Sequence, residues 1–416
     1  MSNDDLFGDS RPCDAATETM IDRLFGLPIN YVGNKKKLVL QILEMLANEK
    51  VEFKSVFDAF SGSCVVSLVF SSMGKDVTAN DLLSMSSLAA VFYLVLREFP
   101  LSSEDVEGLL SPSDGNYPTP MYDKYRWKFF LPAEAKMLDS FRHNLYKILG
   151  RFSVPGLYTG DRIGDGSKVC PSLTLEDGSI ASPKGAFDYT LAGSFAMHAI
   201  CTHVLQKCFL GGRYYNGQTI CSLRARVKRG RTGRNVREHG NDMRTIMHKL
   251  TNAFSPNFNP AREIFASRPA GTLSVFNCDV VRLLESGAVS ADLAYFDPPY
   301  GGASSDYSSL YGMCEEYIRG CDPMTIPSFC EASKRFCGKK EYENNFSAML
   351  DLSRKFPVWL FSFNESSYAS IDDITSLIGK FRSRIVVKPI KNYGYNYRKR
   401  THSSDRESEF LILARG

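Results

Sequence analysis

The 416-residue sequence has no apolar run of the ~18 residues that a membrane span requires. Its most apolar stretch, from Thr190 to Leu210, is broken by His198, His203, Gln206 and Lys207. There is no CxxC pair among its 11 cysteines, and that number is odd, which predicts free thiols in a reducing compartment. Cys314, Cys321, Cys330 and Cys337 are separated by six, eight and six residues, spacings without a zinc knuckle, so they read as small buried hydrophobes and no metal is expected. The six histidines are scattered, and none reads as catalytic. The N-terminus carries Asp4, Asp5, Asp9 and Asp14 where a secretory signal would be basic and then apolar. Residues 1–26 read as a flexible tail, and the protein is expected to be cytoplasmic. A surplus of one charge sign is also nearly missing, with 50 Lys and Arg against 46 Asp and Glu. Evidence for a polyanionic partner must therefore come from where the charges lie. What is present is ordinary for a globular chain, 44% hydrophobic and 23% charged, which excludes a wholly disordered or collagen-like chain.

The hydrophobic pattern alternates between the two periods. Lys35–Leu46 fits a helix, Ser55–Asp58 a short buried strand, Cys64–Met73 a helix, Asp76–Ala79 a strand and Met85–Arg97 a helix. This order predicts a doubly wound α/β sheet. From Ser102 to about Pro269 the alternation stops. A helix is expected over Pro132–Leu149, and loops or hairpins over 151–188, which are dense in turn formers. Strands resume at Leu273–Phe276, Leu293–Phe296, Val358–Phe363, Ile385–Val387 and Phe410–Leu413, with helices near Tyr342–Ser353 and Ile371–Ile378. The expected organisation is one discontinuous α/β domain, 27–100 plus 270–416, interrupted by an insertion at 101–269.

The sharpest motif is Asp297-Pro298-Pro299-Tyr300, directly after the apolar strand Leu293–Phe296. That is the carboxyl edge of a sheet, where open α/β folds bind ligands. Two prolines fix φ and remove two backbone donors, leaving carbonyl groups beside a carboxylate. Such an acceptor-rich corner suits the exocyclic amine of a nucleobase: Asp297 takes one hydrogen, the Pro298 carbonyl the other, and Tyr300 offers a face to the ring. A merely rigid turn is the competing reading. Asp58 through Cys64 places a glycine turn between a strand and the helix that follows, where backbone donors suit a carboxylate and Asp58 an ammonium. Asp81, at the end of the second strand, suits a ribose diol, or equally a helix N-cap. Between Arg224 and Arg237 lie seven cations, including Arg224, Arg226, Lys228, Arg229, Arg231 and Arg234, with no acidic residue. This strip reads as a phosphate contact, against the alternative of a solvated loop. Tyr393, Tyr395 and Tyr397 precede Arg398, Lys399 and Arg400, a pattern open to both a nucleic-acid contact and a half-buried hairpin.

In order and content these segments resemble the Dam-like DNA adenine N6-methyltransferases. The resemblance rests on Tyr31-Val32-Gly33-Asn34-Lys35, the D-x-F-x-G loop from Asp58, the acidic strand end at Asp81, the insertion, and DPPY. It covers 27–100 and 270–416 and implies a Rossmann-like methyltransferase sheet with an inserted target-recognition domain. It implies S-adenosylmethionine as cofactor, held by Tyr31, Gly33, Lys35, Asp58, Phe60, Gly62, Asp81, Asp279 and Asp297, with Asp297, Pro298 and Tyr300 catalytic. The expected partner is double-stranded DNA with its target base flipped, and the resemblance also admits a separately encoded restriction endonuclease. RNA adenine N6-methylation, DNA cytosine N4-methylation and a catalytically silent DNA-binding module are the competing functions. One departure is Cys64, which stands at the second glycine of the loop; a thiol fits there if φ is negative.

Overall fold

The computed structural model describes residues 35–95, 101–127, 130, 132–148, 172–176, 179–181, 191–205, 251, 271–299, 307–319, 322–364, 368–390 and 409–416. The expected tail over 1–26 lies outside these residues.

The first strand, β1 (Ser55–Asp58), has the buried apolar pair Val56 and Phe57 at its centre, and β6 (Leu293–Phe296) is apolar and buried throughout, because both faces of the sheet are covered. They pair in parallel, Val56 opposite Leu293 and Asp58 opposite Tyr295. On the other side of β1 lie β2 (Asp76–Asn80) and then β5 (Leu273–Phe276), both parallel. Beyond β6 lies β7 (Val358–Asn364), also parallel, followed by β9 (Glu409–Arg415) and β8 (Arg384–Ile390). Strand β9 runs antiparallel to both its neighbours. The sheet winds outward from β1 to β5, then returns to the other side of β1 at β6. That reversal opens a crevice at the carboxyl ends of β1 and β6.

Helices cover both faces. The first, α1 (Val39–Asn48), buries Val39, Ile42, Leu43, Met45 and Leu46 at helical spacing. Helix α2 (Val65–Ser72) is buried nearly all round, and its Ser67 hydroxyl donates to Asp58 Oδ2 at 2.6 Å. Helix α3 (Ser84–Ala90) continues into a wider turn over Val91–Val95.

The described part of residues 101–269 packs into the same core. Its helices α4 (Ser103–Leu110), α5 (Pro120–Tyr125), α6 (Pro132–Ile148) and α7 (Leu191–Ile200) contribute Leu109, Met121, Leu138, Phe141 and Phe195 to one apolar cluster with Leu68, Phe70 and Leu88. It also supplies a hairpin, β3 (Ser172–Glu176) and β4 (Ser179–Ala181), which extends the sheet beyond β5 to nine strands. Helix α8 (Val280–Glu285) lies between β5 and β6, and after β6 come α9 (Tyr307–Arg319), α10 (Pro327–Lys334), α11 (Lys339–Leu352) and α12 (Ile371–Gly379). Among the described residues no helix is long and apolar enough to cross a membrane. Cys64, Cys201, Cys314, Cys330 and Cys337 are free thiols as expected, but Cys278 is disulfide-bonded, against the reading of free thiols throughout.

Candidate active site

Seven of the predicted site residues line one cleft at the crevice between β1 and β6: Lys35, Asp58, Phe60, Gly62, Asp81, Asp279 and Asp297. Its volume is about 1050 Å³ with the mouth included, the upper end of the range for small-molecule pockets. Pro298 is buried beside it. Tyr31, Gly33 and Tyr300 lie outside the described residues, as do Arg224, Arg226, Lys228, Arg229, Arg231 and Arg234 of the basic strip and Arg398, Lys399 and Arg400.

The glycine loop leaves β1 at Asp58 and enters α2 after Cys64. Gly62 has φ of 47° and its N–H donates to Asp81 Oδ2 at 2.8 Å, while the Ser61 N–H donates to the Asn80 carbonyl at 2.8 Å. Asn80 ties the loop to the far wall, its amide donating to the carbonyls of Ala59 and Cys278 at 3.1 and 3.2 Å. Asp81 does not cap a helix: Oδ1 accepts from the Leu83 N–H at 2.8 Å and Oδ2 from Gly62, so its first task is to hold this loop. Cys64 corrects an expectation. Its φ is +62°, in the left-handed region, rather than negative, and its side chain is fully buried. The tight turn into α2 imposes that conformation on a residue with a Cβ, at roughly 1–2 kcal/mol.

Burial dominates the electrostatics. It pushes the Asp58 carboxyl up to about 7; the bond from Ser67 opposes the shift, and the charges of Asp297 and Asp81 reinforce it. Asp58 Oδ1 is buried without a well-aligned donor, and the backbone of Phe60 offsets part of the burial effect on this carboxyl. Asp81 is likewise pushed up to about 7 by burial, against the backbone bonds from Leu83 and Gly62 and with the charge of Glu315. Asp279 caps α8 by accepting from the Val281 N–H at 2.9 Å, and its Oδ2 is gripped by Arg335 at 2.9 and 2.6 Å. Lys35 Nζ sits 3.1 Å from Asp297 Oδ1 and 3.1 Å from Glu409 Oε1.

Sequence reasoning missed Asn80's bridging role and the cleft residues Arg335 and Phe336. The last two follow α10, a helix without a recognisable motif, so no short-range signal marks them. Phe60 and Phe336 meet edge-on, ring centroids 5.9 Å apart, giving the Asp279 end an apolar wall. Glu409 stands one residue before the strand expected at Phe410–Leu413, and no motif around it marks it as a site residue.

Comparison with known proteins points to one class of enzyme. Residues 31–100 match the family model described as D12 class N6 adenine-specific DNA methyltransferase. That segment carries the D12-class signature. It spans Lys35, the glycine loop and Asp81, and so one wall of the cleft. A relative from Haemophilus parahaemolyticus, named a Type II methyltransferase (M2.HphI), is 22% identical over 366 residues, 86% of this chain and 89% of its own length. The D12-class match and this relative together support DNA adenine methylation, and the mostly parallel α/β sheet is consistent with a Rossmann-like methyltransferase fold.

Proposed function

We propose that the chain transfers the methyl group of S-adenosylmethionine to N6 of an adenine extruded from duplex DNA. The observation that carries this reading is the position of Asp297: at the carboxyl end of β6, its side chain 18% exposed, in the same cleft as the glycine loop and 3.1 Å from Lys35. The cleft fits the cofactor by its chemistry. Buried acceptors without a well-formed donor, Asp58 Oδ1, Ser61 Oγ and Asn80 Oδ1, belong to residues lining it, which suits a ligand bearing an ammonium and hydroxyl groups. The apolar wall of Phe60 and Phe336 beside Asp279 suits a purine.

When bound, S-adenosylmethionine supplies an electrophilic methyl on a sulfonium, the C–S pair returning to sulfur as the N–C bond forms. Asp297 accepts a hydrogen bond from the target amine, directs its lone pair toward the methyl, and carries the surplus proton to water. The Pro298 carbonyl accepts the second amine hydrogen and Tyr300 stacks on the base. Rate comes from alignment and a preorganised field rather than from a strong base. Extruding the base costs a few kcal/mol, which the cations at 224–234 and 398–400 offset by phosphate contacts. Double-stranded DNA is the proposed partner, with a restriction endonuclease encoded separately.

Asp297→Ala tests the reading. With labelled cofactor and DNA, the variant is expected to lose methyl transfer while keeping DNA affinity within about threefold. Full methylation by that variant refutes the role. Parallel incubations with RNA, and base analysis of the product, decide between adenine N6 in DNA and the RNA or cytosine N4 reactions.

A further inference from the structure

Four elements far apart in sequence meet behind Asp297. Lys35 precedes α1, Asp297 follows β6, Asn364 ends β7 and Glu409 opens β9. Glu409 is fully buried, and both of its oxygens are held: Oε1 lies 3.1 Å from Lys35 Nζ, and Oε2 accepts from Asn364 Nδ2 at 3.0 Å. Lys35, 4% exposed, is as close to Glu409 as to Asp297. A buried acid in this position does more than fill space, because it alters the charge the acceptor presents. Lys35 with Asp297 alone sums to zero; Lys35 between two carboxylates leaves one negative charge. When an amine attacks a methyl group its nitrogen turns positive, so a net negative acceptor lowers that barrier and a neutralised one does not.

We infer that Glu409 is a positioning residue for methyl transfer: it fixes Lys35 and balances its charge, so that Asp297 faces the reacting amine with an undiminished negative charge. The inference rests on the acceptor role proposed for Asp297. Burial raises the Glu409 carboxyl above its ordinary range, and the charge of Asp297 adds to this, while Lys35 and the bond from Asn364 pull it back. Asp58 faces the same space and feels the charge of Asp297. The network also explains the polar pair at the β7–β9 junction, where Asn364 and Glu409 stand opposite each other in register.

The test is single-turnover methyl transfer at saturating cofactor and DNA, with cofactor affinity measured separately by calorimetry. Glu409→Gln preserves shape and removes the charge. It is expected to slow transfer about 10-fold or more while changing cofactor affinity less than about threefold. Lys35→Gln combined with Glu409→Gln removes the ammonium too and returns the negative charge to Asp297. That double variant is expected to transfer methyl at least about threefold faster than Glu409→Gln alone. A purely structural glutamate predicts the reverse order, since the double variant loses two buried contacts. Wild-type speed in Glu409→Gln, or a double variant no faster than the single, overturns the inference. Asp297→Ala, measured alongside, is a separate matter: retained activity there would remove the acceptor role itself.

Discussion

Asp58→Asn should stabilise the ligand-free protein at alkaline pH and do progressively less as the solution is acidified. Asp58 is pushed up to about 7 from 3.8, chiefly by burial. Between those values the folded chain keeps a proton that the unfolded chain has released. Stability from this group is therefore present at low pH and is lost as pH rises through the folded value. From about pH 5 to about pH 8 the loss is roughly two pH units of titration, on the order of 2–3 kcal/mol. Asparagine mimics the protonated form and can still accept from Ser67, so the variant escapes this loss. Other groups titrate nearby: Asp81 and Asp139, raised to about 7 and about 6, act in the same sense, while His198, lowered to about 3, acts in the opposite sense. They remain in both proteins and largely cancel in the difference. The assay is urea unfolding of wild type and variant at the two pH values and one ionic strength. A stability difference that widens by about 2–3 kcal/mol toward alkaline pH is expected, and one that stays constant between the two pH values would refute the burial argument.

The strained turn into α2 gives a second expectation. Cys64→Gly and Cys64→Ala both lose the thiol, but only glycine accepts φ of +62° freely, so the glycine variant should be the more stable by about 1 kcal/mol in denaturant titration. Equal stability would mean the loop relaxes out of that conformation. Glu315 makes a third. It accepts from the N–H groups of Ser84 and Met85 at 3.0 and 2.9 Å and pairs with Arg319 at 2.8 Å, both side chains wholly buried. Glu315→Ala removes the carboxylate from a buried cation and from the start of α3, and should cost about 3–5 kcal/mol of unfolding free energy. A loss below about 1 kcal/mol would show that water takes over those contacts.

Period and punctuation carried much of the fold. Ser55–Asp58, Leu273–Phe276 and Leu293–Phe296 are strands at the predicted bounds because short apolar runs between turn residues have little alternative inside a parallel sheet. Helix α1 begins with a tighter turn over Lys36–Leu38 than its apolar spacing announced. Helix α9 went unread because its apolar positions follow directly on a glycine- and serine-rich stretch that reads as loop. The hairpin β3–β4 was foreseen only as loop or hairpin; its pairing with β5 depends on contacts about a hundred residues away, which no local window contains. The candidate site divides in the same way. Asp58, Asp81, Asp279 and Asp297 were legible because each stands at a strand end next to a turn. Arg335, Phe336 and Glu409 reach the cleft through tertiary packing, and their neighbours in sequence carry no chemical signature. Cys64 illustrates a different limit: residue type indicated an unusual loop but not the sign of the dihedral.

The inverted placement of β9 has a consequence for synthesis on the ribosome. Strand β8 hydrogen-bonds to β9 and to no other described strand, so it emerges with no edge to dock on. Until β9 slides between β7 and β8, that side of the sheet ends in an open, adhesive border, and Lys35 waits for its second carboxylate. Docking of β9 thus closes that edge of the sheet and brings Glu409 to Lys35 in one event, so a chain still lacking β9 would hold much of the architecture without the finished electrostatics.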